Sequence, residues 1–334
     1  MKYSIFSLVD HYDDSPVGIK QQYKEVQEQI ELADSLNFDT FWLAEHHFQN
    51  EHGSIASPAV FLSSVSRTTC NIGLGTAVSV LPLHNPIRVA EDFAMLDIIS
   101  NGRMKFAVGS GYLPHEFEGF NIEFEDRVKM LDESSELIFQ LWSQKHVTFQ
   151  GEYHQFDGGL NVRPVQKLKK PLMATIRNEA IQAMARQGIP IFMSALSVRK
   201  IDEVKQMVEG YHDTYDKSKY PKEDRHVAYC LNLVLDQDEE IAKQRGIKAL
   251  QKLFNNRGVK RTPENFMESG LCFFGTPEQA SRIMTSYIES GITELVLSVG
   301  FGGIEHEYAC RTMELFAKEV LPQLKKIERP GLHV

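Results

Sequence analysis

Several features that mark specialised classes of protein are scarce in this sequence. The 334 residues include only four cysteines, Cys70, Cys230, Cys272 and Cys310, and no two of them have Cys-x-x-Cys spacing. The spacing therefore predicts neither a zinc site nor a disulfide framework. Reduced thiols in a cytoplasmic protein are the simplest interpretation.

Long apolar runs and an excess of basic residues are also missing. The apolar runs are short and interrupted by charge, so we expect no membrane span, and the N-terminus lacks the pattern of a cleavable signal. Asp and Glu number 45 against 36 Lys and Arg, a formal net charge of -9. Nucleic-acid binders usually carry a basic surplus or patch, so neither nucleic acid nor membrane is an expected partner.

What the sequence does contain is a repeated alternation of strand-like and helix-like segments. Residues 3–9 are rich in aromatic and β-branched residues, and residues 18–36 carry apolar side chains at spacings of three and four, as in an amphipathic helix. The alternation predicts eight strands: 3–9, 40–45, 71–78, 104–109, 171–176, 190–194, 226–235 and 294–299. Each is followed by at least one predicted helix.

Eight such units predict an α/β fold, a (β/α)8 TIM barrel formed by residues 1–334 as a single domain. An open doubly wound sheet is the alternative. It is disfavoured because no G-x-G-x-x-G turn follows the first strand and no change of composition divides the chain. Two irregular segments, about 145–170 and 256–275, read as insertions that would form a lid at the C-terminal face of the barrel.

Barrel active sites lie at the C-terminal ends of the strands, and the second strand ends in Glu45, His46 and His47. A histidine there can act as a general base near neutral pH. From spacing alone, a purely structural role is an equal alternative, in which these side chains form hydrogen bonds at the end of the strand. A metal site is disfavoured, because adjacent strand residues point to opposite sides and no second ligand cluster is evident at another strand end.

Two loops compete for a phosphate-binding role. Arg177 and Asn178 lead into a predicted helix, whose free N–H groups favour an anion, although Asn178 could simply cap that helix. The loop 300–303, after the eighth strand, is the alternative, because barrels often bind phosphate there. The residues of the two loops do not show which of them would bind a phosphate.

Motifs spread in order over nearly the whole chain resemble the bacterial luciferase-like flavin monooxygenases. The second-strand stretch Phe-Trp-Leu-Ala-Glu-His-His-Phe at 41–48 carries the strongest match. Further matching stretches lie at 72–78, 81–82, 85–91, 96–97, 100–103, 109–112, 149–153, 275–278 and 315–322.

This resemblance implies a barrel that binds a flavin at the C-terminal mouth, often as a homodimer. The implied cofactor is reduced FMN delivered by a separate flavin reductase. O2 would react at the flavin C4a, and the resulting peroxyflavin would oxidise a small organic substrate. A deazaflavin (F420)-dependent dehydrogenase on the same barrel is one alternative, and a flavin-binding protein without turnover is another.

Residue by residue, the resemblance implies a catalytic role for His46 with Glu45 beside it. Ala77 and Val78 match a non-proline cis peptide that abuts the flavin. Further positions are assigned by the same matching: Gly109 near the reactive flavin carbon, Ser110, Arg177 and Asn178 near the phosphate, and His47, Glu116 and Ser194 in the substrate pocket.

Two departures from the family pattern matter. The family has a phosphate-binding arginine where this chain has Ser110, and we expect Arg177 to replace its charge. Luciferase has a cysteine at the position of Gly109, so light emission is not expected. No metal is expected.

Overall fold

Short apolar segments of the chain pair as parallel strands. The computed structural model describes residues 1–156, 161–164 and 166–327. The strands are β1 (Lys2–Ser7), β2 (Thr40–Leu43), β3 (Gly73–Val80), β4 (Met104–Gly109), β5 (Phe149–Gln150), β6 (Gln155–Phe156), β7 (Leu172–Ala174), β8 (Ile191–Ser194), β9 (Val227–Leu235), β10 (Cys272–Gly275) and β11 (Glu294–Gly300). Every residue of β2 is buried, as expected for a parallel strand covered by helices.

Eight of these strands close into a ring. The parallel order is β1, β2, β3, β4, β7, β8, β9 and β11, and β11 pairs again with β1. The predicted (β/α)8 barrel is confirmed. The single-domain boundary at 1–334 stays a prediction, and residues 328–334 lie outside the described part of the chain.

Helices cover the outside of the barrel. They are α1 (Ile19–Ser35), α2 (Pro58–Val65), α3 (Pro86–Ile99), α4 (Pro114–Phe120), α5 (Arg127–Ser143), α6 (Asn178–Arg186), α7 (Ile201–Tyr215), α8 (Glu239–Arg257), α9 (Pro263–Glu268), α10 (Pro277–Glu289), α11 (His306–Leu315) and α12 (Leu321–Ile327). A π-helical stretch, Phe316–Val320, joins the last two. Thr276 and Gln279 form a capping box that starts α10. No helix of the described residues has the length and apolar character to cross a bilayer.

A buried polar cluster closes the barrel at the starts of the strands. Glu294 Oε1 accepts hydrogen bonds from Ser4 Oγ at 2.6 Å and Trp42 Nε1 at 2.9 Å. Its other oxygen accepts from His226 Nε2 at 2.7 Å. Burial alone would raise the pKa of Glu294, but the hydrogen bonds, chiefly that from His226, lower it. Buried hydrogen bonds stabilise this end of the barrel, and the opposite end is left open.

The segment 145–170 contains an antiparallel hairpin of β5 and β6. The carboxylate of Glu133 on α5 holds it by accepting from the N–H groups of Glu152, Tyr153 and His154 at 2.7, 2.9 and 2.5 Å. Residues 157–160 and 165 of this segment lie outside the described residues. The lid role stays a prediction.

The expectation that 256–275 is irregular was wrong. This segment contains α9 and β10, and β10 pairs in parallel with the second half of β9, from Asn232 to Leu235. The place of β10 depends on pairing with a strand forty residues earlier, which the local pattern of residues does not indicate. Helix α4 was missed because its seven residues make only two turns, too few to show a clear period.

Candidate active site

The carboxyl ends of the barrel strands surround a cavity of about 1360 Å³. All but two of the predicted site residues line it: Glu45, His46, Ala77, Val78, Gly109, Ser110, Glu116, Arg177 and Ser194. The exceptions are His47, whose Nε2 lies 3.3 Å from Glu45 Oε1, and Asn178, which lies in the first turn of α6. Strand ends therefore gather most of the predicted residues at one place.

His46 is held by an acid from another part of the chain. Its Nδ1 lies 3.0 Å from Oε1 of Glu116, which also accepts the N–H of His47 at 2.9 Å. Burial raises the pKa of Glu116, but its hydrogen bonds and the nearby histidine charge outweigh that and lower it. An ionised carboxylate only accepts hydrogen bonds, so Nδ1 of His46 donates. In the neutral imidazole, Nε2 is then left as an acceptor.

The pKa of His46 is itself lowered, mainly by burial and further by the positive charge of Arg257. Burial disfavours the charged form of an imidazole. His46 is therefore neutral at neutral pH. A neutral imidazole with a free acceptor nitrogen can take a proton from a group in the cavity.

Glu45 makes a second buried cluster behind His46. Its Oε1 accepts from His84 Nε2 at 2.6 Å, His47 Nε2 at 3.3 Å and the Val80 N–H at 3.3 Å, and its Oε2 accepts from Ser79 Oγ at 3.0 Å. Burial would raise the pKa of Glu45, but the hydrogen bonds from His47 and His84 lower it to about 2. Both of its oxygens are thus already hydrogen-bonded within the protein.

His84 was not singled out from the sequence. It lies in the loop after β3. One of its ring nitrogens lies within 4.8 Å of a Glu45 carboxylate oxygen and of a His47 ring nitrogen, the atoms that could bind a metal ion. A metal was disfavoured partly because no second ligand cluster is evident at another strand end, and His84 supplies one further ligand-type side chain there. Within the group of Glu45, His47 and His84, the Nε2 atom of each histidine is already hydrogen-bonded to Glu45.

Ala77 and Val78 form one wall of the cavity. Their peptide bond is cis, as the resemblance implies. Gly109 lies against this wall, because a Cβ added there would meet Val78 Cγ2 at 2.8 Å. The two strand ends β3 and β4 are thus packed closely, and the wall they present to the cavity is apolar.

The start of α6 faces the same cavity. Thr175, Ile176 and Arg177 line it, and Arg177 is the residue that precedes the first helical turn. No side chain caps this helix start, so Asn178 does not act as the cap that the sequence left open. The free N–H groups and the Arg177 guanidinium form an arrangement suited to an anion.

In the competing loop after β11, a backbone N–H group is already hydrogen-bonded to an acidic side chain of the protein. Gly302 N–H donates to Asp10 Oδ2 at 2.6 Å. Asp10 and this loop line a second cavity, between the barrel and the helices α1, α8 and α11. A carboxylate at the N–H group competes with a phosphate for it.

Arg257 and Tyr112 also line the main cavity, and the sequence did not point to either side chain. Arg257 ends α8 and donates Nη1 to the Tyr112 hydroxyl and Nη2 to the carbonyl of His52 at 3.1 Å. Tyr112 packs edge-on against His46, with ring centroids 6.1 Å apart. No signal in the sequence links positions so far apart along the chain.

An eight-stranded barrel with a cofactor-sized cavity at the carboxyl ends of its strands is the class of protein that these features define. Residues 1–294 match the model of the family described as luciferase-like monooxygenase. The chain belongs to this family, so the resemblance seen in the motifs is confirmed.

Two curated relatives show the range of the family. Limonene 1,2-monooxygenase of Rhodococcus erythropolis is 27% identical over 89% of this chain and 79% of that protein. F420-dependent glucose-6-phosphate dehydrogenase of Amycolatopsis mediterranei is 22% identical over 91% of this chain and 95% of that protein.

Solved structures agree with the fold. Monooxygenase RslO1 from Streptomyces bottropensis is 26% identical, with a TM-score of 0.87 over 97% of this chain and 100% of that one. The oxygenating constituent of 3,6-diketocamphane monooxygenase from Pseudomonas putida, solved with FMN, is 15% identical, with a TM-score of 0.77 over 96% of this chain and 98% of that one. At 15% identity the second likeness concerns the fold alone.

Proposed function

We propose that the protein is a flavin-dependent monooxygenase that uses reduced FMN and O2 to oxidise a small organic substrate. The observation that carries the proposal is the neutral imidazole of His46, held through Nδ1 by Glu116 at the edge of a large cavity. Family membership supports the reaction class. The reduced FMN would come from a separate flavin reductase, because the chain has no G-x-G-x-x-G turn of its own for a nicotinamide.

The residues around the cavity fit a flavin mononucleotide. The uncapped start of α6 and Arg177 would hold the phosphate, with Asn178 in the first turn and Ser110 on the neighbouring loop. The apolar wall of Ala77, Val78 and Gly109 would contact the flavin ring. When bound, the reduced flavin supplies the electrons that activate O2. The cavity exceeds the about 300–1,000 Å³ of an ordinary ligand pocket, which leaves room for a substrate beside the cofactor.

In this proposal His46 is the catalytic residue. Its Nε2 would accept or return a proton in the cavity, and Glu116 would fix the ring and the tautomer. Glu45 would act through its neighbours as a positioning residue, because both of its oxygens already accept hydrogen bonds from within the protein. Ser194, at the end of β8, and Glu116 would also border the substrate.

The F420-dependent dehydrogenase is a second candidate. The size of the cavity favours it as well, since a deazaflavin with a longer tail needs more room. Arg127 and Lys170 line the cavity and offer further positive charge for such a tail. Here His46 would give a proton rather than take one, which its lowered pKa disfavours.

We further propose a homodimer that uses α2 and α3. Val60 on α2 is 71% exposed, and Met95, Ile98 and Ile99 on α3 are 48%, 51% and 40% exposed. The two helices contact each other, and exposed apolar side chains on neighbouring helices are typical of an interface. Sedimentation of the wild type and of Ile98→Glu tests it: the variant should be monomeric if this face is the interface.

Product analysis in a coupled assay tests the reaction. A flavin reductase with NADH and FMN is run with and without the protein, in the presence of candidate ketones, aldehydes and terpenes. The proposal expects an oxygenated product only when the protein is present, and the loss of that product in His46→Asn with flavin binding retained. Flavin binding with no turnover of any substrate, and identical behaviour of His46→Asn, would instead indicate a flavin-binding protein.

A further inference from the structure

Arg257 is a partly buried cation that lacks an anionic partner. It lines the main cavity and donates only to neutral acceptors, the Tyr112 hydroxyl and the His52 carbonyl. Its Nε is buried with no hydrogen-bond partner. It forms no ion pair with any carboxylate of residues 1–156, 161–164 and 166–327. Buried charges are normally paired, so this arrangement is incomplete.

The carboxylate with the largest electrostatic effect on Arg257 already has other hydrogen-bond partners. Asp10 affects Arg257 electrostatically, but its Oδ2 accepts from the Tyr12 hydroxyl at 3.0 Å and from Gly302 N–H at 2.6 Å. Among the described residues, Asp10 makes no hydrogen bond or ion pair with Arg257. Asp10 therefore does not act as a directly bonded anionic partner of Arg257.

The other cations of the cavity lie elsewhere around the barrel. Arg177 starts α6, and Lys170 donates to the carbonyl of Gln187 beyond the end of that helix. Arg127 donates to the Phe124 carbonyl and stacks on its ring. Arg177 is thus assigned to the cofactor phosphate, and Lys170 and Arg127 are held by contacts of their own.

Arg257 belongs instead to the side of His46. Its guanidinium carbon lies 5.6 Å from the Tyr112 ring centroid, and Tyr112 packs on His46. The His52 ring, whose backbone carbonyl accepts from Arg257, lies 6.2 Å from the ring of His46. The unpaired positive charge is thus one side chain away from the proposed catalytic imidazole.

We propose that Arg257 binds a carboxylate of the substrate, so that the substrate is a small organic acid with an apolar body. This inference rests on the proposed function, because it treats the region around His46 as the substrate chamber. The guanidinium fork matches a carboxylate in shape and charge. Phe6, Leu8 and Phe192 provide apolar walls in the same cavity.

Calorimetric titration with a matched pair of ligands tests it. Octanoate and 1-octanol are titrated into the full-length protein, with and without saturating FMN, which occupies the phosphate region. The wild type should bind octanoate at least about tenfold more tightly than 1-octanol. Arg257→Met should bind both ligands as weakly as the wild type binds 1-octanol, and Arg257→Lys should keep part of the preference.

Arg245→Met is the matched control. Arg245 lies on the same helix, with its guanidinium stacked on the ring of Tyr308, but lines the second cavity. It should keep the full preference for octanoate. If Arg257→Met does not fold, Arg257→Lys carries the comparison.

Two results would overturn the inference: a wild type that binds octanoate no better than 1-octanol, or an Arg257 variant that keeps the full preference. Failure of the proposed function shows separately, as a lack of binding when oxidised and reduced FMN are themselves titrated into the protein. The titration without FMN tests the carboxylate site whether or not the protein binds FMN.

Discussion

Glu116 accepts the hydrogen bond from Nδ1 of His46 across 3.0 Å, although the two residues are 70 positions apart in the chain. His46 follows the second barrel strand, and Glu116 lies in the short helix after the fourth. The barrel brings the two loops together at one end. This contact fixes which nitrogen of His46 carries the proton and so defines the chemistry that the site can perform.

The pH profile of turnover tests this contact. The base form of His46 is lost as the pH falls through its pKa, which lies below the ordinary 6.5, so the acid limb of the wild type should lie below pH 6.5. The charge of Glu116 raises that pKa. Glu116→Gln should therefore move the limb to lower pH and reduce kcat by about tenfold or more. A variant with an unchanged profile and kcat would contradict this assignment.

Arg177→Met tests the phosphate site. We expect this variant to bind FMN about tenfold or more weakly, because one charge-assisted hydrogen bond is lost, and to bind riboflavin like the wild type. Arg186→Met, at the other end of α6, is the control and should change neither affinity. Equal weakening of FMN and riboflavin binding would show that Arg177 does not contact a phosphate.

Glu45→Gln tests the positioning role of Glu45. Its ionised form is stabilised in the folded protein, so the stability it provides is present above its ordinary pKa of 4.5 and is lost as the pH falls toward about 2. The variant should lose about 1–3 kcal/mol of unfolding free energy at pH 7. That deficit should shrink in urea titrations at pH 3. A deficit independent of pH would mean that packing, not charge, is responsible.

Glu294→Gln should affect stability without affecting the cavity. Glu294 lies at the opposite end of the barrel, bonded to Ser4, Trp42 and His226. We expect a loss of about 1–3 kcal/mol in unfolding free energy at pH 7 and unchanged affinity for FMN. A large change in FMN affinity would show that the two ends of the barrel are coupled.

The fold was largely predictable because each barrel strand is a local apolar segment followed by a helix. His46 could be found for the same reason, since it directly follows the predicted strand at 40–45. The exceptions are short: β10 has four residues and α4 has seven. Helix α4 is too short to show a clear helical period, and β10 lies outside the ring of eight strands, beside β9.

Contacts between distant parts of the chain could not be predicted in the same way. Arg257 meets the carbonyl of His52 across 205 positions, and Trp42 meets Glu294 across 252. Glu116 was proposed only through the family resemblance, and His84 was not proposed at all. Which side chains meet depends on how the barrel closes. A single sequence does not show which residues face each other once it has closed.

Anaerobic titration of the protein with reduced FMN, oxidised FMN and reduced F420 tests the central claim most directly. The proposal predicts saturable binding of one reduced FMN per chain, tighter than that of F420, and weakened by Arg177→Met. Binding of F420 in preference to reduced FMN, or no binding of flavin in either redox state, would contradict it.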